Sequence, residues 1–166
     1  MFDTSTSDVI ATMPNGFGGA AAGIRWAKSP EETLAPQLET IGITPADVRY
    51  IGISHQHADH TGNVHLFPNA TALIQRREYD EAFKNGRAPA GPPNFAGQIF
   101  PRQYPVILQD GDYDVFGDGS VVFYYVGGHT VGSQVALVRL RNTGYVLLTG
   151  DAVHLQSNWD NRRIPR

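Results

Sequence analysis

Cysteine is absent from the 166 residues. Disulfide staples, thiolate metal ligands and cysteine nucleophiles are excluded with it, which leaves histidine and carboxylates for any metal chemistry. Charge is sparse too, at 17% of residues, and 13 Lys plus Arg against 16 Asp plus Glu leave a net −3. No basic stripe answers a phosphate backbone, so no nucleic-acid partner is expected. No apolar run approaches the roughly 18 residues that a spanning helix needs, and no membrane span is expected. Residues 1–4 show neither a basic nor an apolar leader region and leave the compartment open. What is present, 41% hydrophobic residues in a chain of this length, suits one globular domain over residues 1–166.

Residues 13–23 are rich in glycine and small side chains and read as a loop. Ser29-Pro30-Glu31-Glu32 supplies an N-cap, a proline at the first helical position and a capping-box glutamate. Leu34, Leu38 and Ile41 follow at helical spacing, which predicts a helix that Gly42 stops. Thr44-Pro45-Ala46-Asp47 starts one further short turn, and residues 48–53 form a β-rich run ending at Ser54. A short strand over residues 70–75 and a polar helix over 76–84 come next. Residues 85–105, dense in proline and glycine without a period, make a loop of about 20 residues, long enough to suggest a lid or an insert edging a substrate. Beyond it the pattern is β, over residues 106–109, 112–116, 121–126, 134–140 and 145–149.

The chain holds six histidines, three of them in Ser54-His55-Gln56-His57-Ala58-Asp59-His60. In an extended segment residues two apart point the same way, so His55 and His57 can meet one ion while the following turn sends Asp59 and His60 towards a second. Gly127-Gly128-His129-Thr130 and Thr149-Gly150-Asp151 each place one more donor directly after a β run.

Together these three strand ends resemble the metallo-β-lactamase superfamily, with its H-x-H-x-D-H loop, later G-H-T/S segment and later G-D segment. Phe2-Asp3-Thr4 looks like that family's F-D-T-G element, with Ser5 in place of glycine. The resemblance implies an α+β fold, the four-layer αββα sandwich, incomplete at both ends. It implies that His55, His57 and His129 hold one metal, Asp59 and His60 a second, and that Asp151 bridges them. The family's seventh ligand, a histidine well downstream of the bridging aspartate, has no candidate, and its opening hairpins are missing, so the chain is expected to be a fragment of a longer protein.

Two divalent ions, with zinc the first choice for an all-N/O donor set, are the expected cofactors. The implied activity is hydrolysis of an ester or lactone by a metal-bridging hydroxide, since metal binding lowers the pKa of water from ~15.7 towards about 7. Asp59 would also orient that hydroxide. SHQHADHTGN, GGHTVGSQ and TGDAVHLQSNWDNRRIP look most like N-acyl-homoserine lactonase-like members, which implies a small lactone or ester as the substrate. Where those lactonases place a tyrosine three residues after the bridging aspartate, this chain has His154, whose imidazole can donate a hydrogen bond or protonate the leaving alkoxide; support behind a ligand or a plain surface role is its alternative. His65 is read as a packing residue or as support behind a ligand. Asn158, Trp159 and Arg162 are read as surface residues, with pocket lining as the alternative. Two other functions stay open: thioester hydrolysis of the glyoxalase II kind, and a metal-binding, catalytically inactive fragment whose unpaired sheet edge invites a second copy of the chain.

Overall fold

The computed structural model describes residues 1–12, 27–83 and 104–163. Within them the helices are α1 (Asp8–Ala11), α2 (Leu34–Glu39), α3 (Ala58–Thr61), α4 (Arg76–Ala82) and α5 (Gln156–Asp160). One sheet is parallel, in the order β1 (Tyr50–Gly52), β2 (Thr71–Gln75), β3 (Val106–Gln109). The other is an antiparallel meander of β4 (Tyr113–Asp114), β5 (Val121–Tyr125), β6 (Gln134–Leu140) and β7 (Gly144–Leu148).

Side-chain alternation along the parallel strands builds two cores. Ile51, Ile53, Ala72 and Ile74 pack with Phe67 and with Leu38 of α2 and Ala82 of α4. The intervening Leu73 turns the other way, towards Phe123 and Ala136 of the second sheet, where Ile107 joins it. Strands buried on both faces are what a parallel sheet requires. Gly52 sets the closeness of the two sheets, because a Cβ there would overlap the Phe123 ring. Three of the four expected layers, helices, sheet and sheet, are thus seen among the described residues. The outer face of the second sheet carries the exposed Tyr145 and Leu147.

The helix expected from Ser29 onward is divided. A 3₁₀ turn, Pro30–Glu32, carries the capping box, with Ser29 N donating to Glu32 Oε2 at 2.8 Å; Thr33 is extended, and α2 starts afresh at Leu34. Pro36 explains the break: in one continuous helix it would remove an interior hydrogen bond, whereas in the first turn of α2 its missing N–H costs nothing. The turn at Thr44 forms with its own box, Thr44 N donating to Asp47 Oδ2. The loops expected over 13–23 and, up to residue 103, over 85–105 lie outside the described residues.

The first residues are tied to β1 and to the chain after α3. Asp3 N donates to the Gly52 carbonyl at 2.8 Å, and Gly52 N to that of Met1 at 2.9 Å. The fully buried Asn63 side chain donates to Thr4 O and Thr6 O and accepts from Asp8 N. This route takes Asp3 and Ser5 into the left-handed region, at φ 56 and 63. Ser5 occupies the position that the F-D-T-G pattern gives to glycine, which adopts such a φ without strain. Replacing Ser5 by Gly should therefore raise stability by up to about 1 kcal/mol, after allowance for the greater freedom of glycine in the unfolded chain. A urea-unfolding midpoint no higher than that of the wild type would contradict this.

Candidate metal centre

All the candidate donors emerge at one end of the two sheets. Ile53 and Ser54 continue β1 into His55; His129 lies on the turn between β5 and β6; Asp151 sits in a 3₁₀ turn, Gly150–Ala152, directly after β7. β6 connects them, since Gln134 N donates to the Ser54 carbonyl at 3.0 Å while β7 pairs along β6.

The six residues fall into two groups that share a member. His55, His57, His129 and Asp151 each present a donor atom within 4.8 Å of the others, and Asp59, His60 and Asp151 do likewise. His55 Nε2 lies 2.8 Å from His57 Nδ1, which in turn lies 3.0 Å from His129 Nε2. Asp151 faces both groups: its Oδ2 is 3.3 Å from His129 Nε2 and 3.7 Å from His55 Nε2, while Oδ1 is 3.2 Å from His60 Nε2. Asp59 Oδ2 is 3.6 Å from His60 Nε2.

This geometry fits a cation. His57 Nδ1 offers either one proton or one lone pair in its ring plane, yet two other ring nitrogens close on it, so protons alone cannot satisfy all three well. A cation at their focus satisfies all three, and the donors are the imidazoles and carboxylates that divalent ions accept. The surroundings also hold the rings as ligands are usually held. His60 Nδ1 lies 2.9 Å from Asp3 Oδ2, which leaves Nε2 aimed at Asp59 and Asp151; a carboxylate behind a histidine fixes its orientation and tautomer. Asp3 is itself held through Oδ1 by Ser54 N at 2.7 Å, and Ser54 Oγ lies 3.0 Å from His55 Nδ1.

Protonation follows from the same packing. Burial, together with the neighbouring His60 and His57, pushes His55 down to about 3. Burial and His129 lower His57 as well, so both rings present lone pairs at neutral pH. Burial also disfavours the His60 cation, but the Asp3 hydrogen bond and charge, helped by Asp59 and Asp151, outweigh it and raise that pKa. Asp151 is held low: its burial is outweighed by the His154 hydrogen bond and by His60 and His55.

His154 stands beside the cluster, its Nε2 3.0 Å from Asp151 Oδ2 and its side chain 43% exposed. His65 is exposed on the 3₁₀ turn Val64–Leu66. It neither packs in the core nor backs a ligand, because the turn directs Val64 inward instead. Asn158, Trp159 and Arg162 line a cavity of about 430 Å3 with Ala152, Val153 and Arg163, next along the chain from Asp151. Sequence reasoning assigned no role to Asp3 or Ser54 and missed Glu78, a fully buried carboxylate hydrogen-bonded to Gln56 N between two of the histidines. Only Asp3 carried a local signal, the F-D-T element.

A match to the family described as the Metallo-beta-lactamase superfamily spans residues 16–165. The chain belongs to the metallo-beta-lactamase superfamily. Its relatives in that superfamily include N-acyl homoserine lactonase AttM of Azorhizobium caulinodans, 36% identical over 99% of this chain and 64% of the relative. An N-acyl homoserine lactonase of Bacillus cereus is 33% identical over 79% of this chain and 49% of that protein. The metallo-beta-lactamase fold is shared with solved structures at 26% identity. One is a single-residue mutant of Bacillus thuringiensis AiiA with N-decanoyl-L-homoserine bound at the active site, with a TM-score of 0.80. Another is an N-acyl homoserine lactone hydrolase with its product N-hexanoyl-L-homoserine at the catalytic metal center, with a TM-score of 0.79. Each match covers 97% of this chain and 62% of the other, so the chain spans less than two thirds of these relatives.

The protonation pattern is directly measurable. In the metal-free protein, His55 should stay neutral when the pH is lowered to 5, because burial pushes its pKa down to about 3, whereas His60 should still be mostly protonated at pH 6.5, because its pKa is raised. Imidazole nitrogen NMR across that range reads both; a His55 ring that protonates near pH 6.5 would contradict the burial argument.

Proposed function

We propose that this chain carries the dinuclear metal centre of a hydrolase that opens a lactone or ester, with N-acyl-homoserine lactones as the substrate class. The observation that carries this reading is Asp151, one carboxylate whose two oxygens face two separate donor groups. The names of the relatives support the substrate class. In this reading residues 1–166 form part of one metallo-β-lactamase-like domain. His55, His57 and His129 hold one divalent ion, Asp59 and His60 hold the other, and Asp151 is shared. Zinc suits a donor set made only of imidazole nitrogens and carboxylate oxygens. When bound, such ions lower the pKa of water towards neutrality and polarise a substrate carbonyl.

The chain's own residues do the positioning. Asp3 keeps the His60 ring aimed at the second group through Nδ1. The Asp59 carboxylate, half-buried beside His60, orients the attacking water by accepting its hydrogen bond. His154, on the exposed side of Asp151, is placed to meet the oxygen that leaves when the ring opens. The lack of a basic stripe in the sequence argues against a nucleic-acid polymer as the substrate.

The test is to assay an N-acyl-homoserine lactone and an acyl thioester side by side with the metal-loaded protein, before and after chelation. Turnover should favour the lactone, vanish on chelation and return with zinc. Asp151→Asn should lower kcat by ~100-fold or more, because it weakens a ligand common to both groups. Lactone turnover that survives both chelation and Asp151→Asn would overturn the reading, and preference for the thioester would replace the substrate class.

A further inference from the structure

Glu78 has no exposed surface, although it belongs to α4, a helix on which Arg76, Arg77 and Asp80 all face solvent. A carboxylate buried this completely needs strong partners, and Glu78 has three. Its Oε1 accepts from Gln56 N at 2.9 Å, and Gln56 stands between His55 and His57. Its Oε2 accepts from Gly132 N at 2.7 Å and from Thr130 Oγ1 at 2.9 Å, and Thr130 follows His129. One side chain therefore grips both histidine-bearing loops, which are remote from each other in sequence. The contact is close: a Cβ on Gly132 would overlap Glu78 Cβ and lie 2.8 Å from its backbone nitrogen, so no other residue lets that loop rest on the helix. Thr130 is fixed in turn by Ser133, whose Oγ accepts from Thr130 N at 2.9 Å.

We propose that Glu78 is a positioning residue for the metal centre: its carboxylate sets the spacing between the His55/His57 loop and the His129 loop, holding three ring nitrogens convergent before a cation arrives. The inference rests on the metal reading given above and adds a residue that touches neither cation nor substrate. A neutral side chain of the same size cannot replace it. The glutamine amide offers one acceptor oxygen where the carboxylate offers two, and its NH2 would meet either Gln56 N–H or Gly132 N–H donor to donor.

Cobalt(II) titration of the metal-free protein, read by its visible absorption and by competition with zinc, tests the proposal independently of activity. Glu78→Gln should weaken cobalt binding about 10–100-fold and alter the absorption band, as loss of a residue behind metal ligands does. Thr130→Val, which removes one hydrogen bond and leaves the carboxylate, should weaken binding less but in the same direction, and it decides the matter if Glu78→Gln does not fold. Glu78→Asp should recover part of the affinity lost in Glu78→Gln. Wild-type affinity and spectrum in the folded variants, with only the melting temperature lowered, would overturn the proposal by showing Glu78 to be purely structural. A wild-type chain that binds no cobalt would overturn the metal centre itself and the positioning role with it.

Discussion

The hydrogen bonds of Gln134 join the two sheets, and the rest of the structure depends on that junction. Its side-chain nitrogen donates to the carbonyl of Ile53, just past the end of β1, at 2.8 Å, and to that of Leu73, in the middle of β2, at 3.2 Å. Its side-chain oxygen accepts from Gln75 at 3.0 Å, and its backbone nitrogen donates to Ser54. The Ile53 and Ser54 carbonyls, just beyond β1, would otherwise lose these partners in a buried setting, at a cost of about 1–3 kcal/mol each. The first residue of β6 satisfies them, so β6 starts beside the segment that carries His55. His129 precedes β6, and Asp151 follows the strand paired to it, so a single register places donors from three distant parts of the chain at one edge.

In the first group the electrostatics favour occupancy over self-satisfaction. Two of the three first-group histidines are kept neutral by burial and by neighbouring imidazoles, while His60 and Asp151 are drawn towards charge by their neighbours. Neutral imidazole beside ionised carboxylate is the state in which the first group binds a cation, whereas His60 must give up its proton to become a ligand. The orientation is held from behind, with Asp3 on one ring and Ser54 against two. Rings held in this way lose little freedom when a ligand binds, and that is how preorganised sites limit the entropy cost.

Much of this was legible in the sequence because its signals are local. His55, His57, Asp59 and His60 lie in one short segment, and His129 and Asp151 each end a recognisable β run, so spacing and strand prediction sufficed to list them. The strands were legible for the same reason, although the structure trims their ends. What could not be read depends on tertiary distance. Glu78 looks like any acidic residue of a polar helix until Gln56, Thr130 and Gly132 close over it. Gln75 and Gln134 look like surface residues until they meet between the sheets. His65 was misjudged because its turn, too short to show a period, directs Val64 rather than the histidine inward. The divided helix at Thr33 was legible in principle, since Pro36 forbids the continuous form, but the capping signal at Ser29 outweighed it.

Asp151 carries one further implication. Its carboxylate has a single pair of torsions, yet its two oxygens point into two different donor groups. Any rotation that improves one contact displaces the other, so the groups share a mechanical degree of freedom as well as a residue. An ion settling into either group would lock that rotor and spare the second ion the ordering cost of a flexible ligand. Occupancy would then tend towards none or two, and this end of the sandwich would behave as one cooperative unit rather than as a pair of neighbouring pockets.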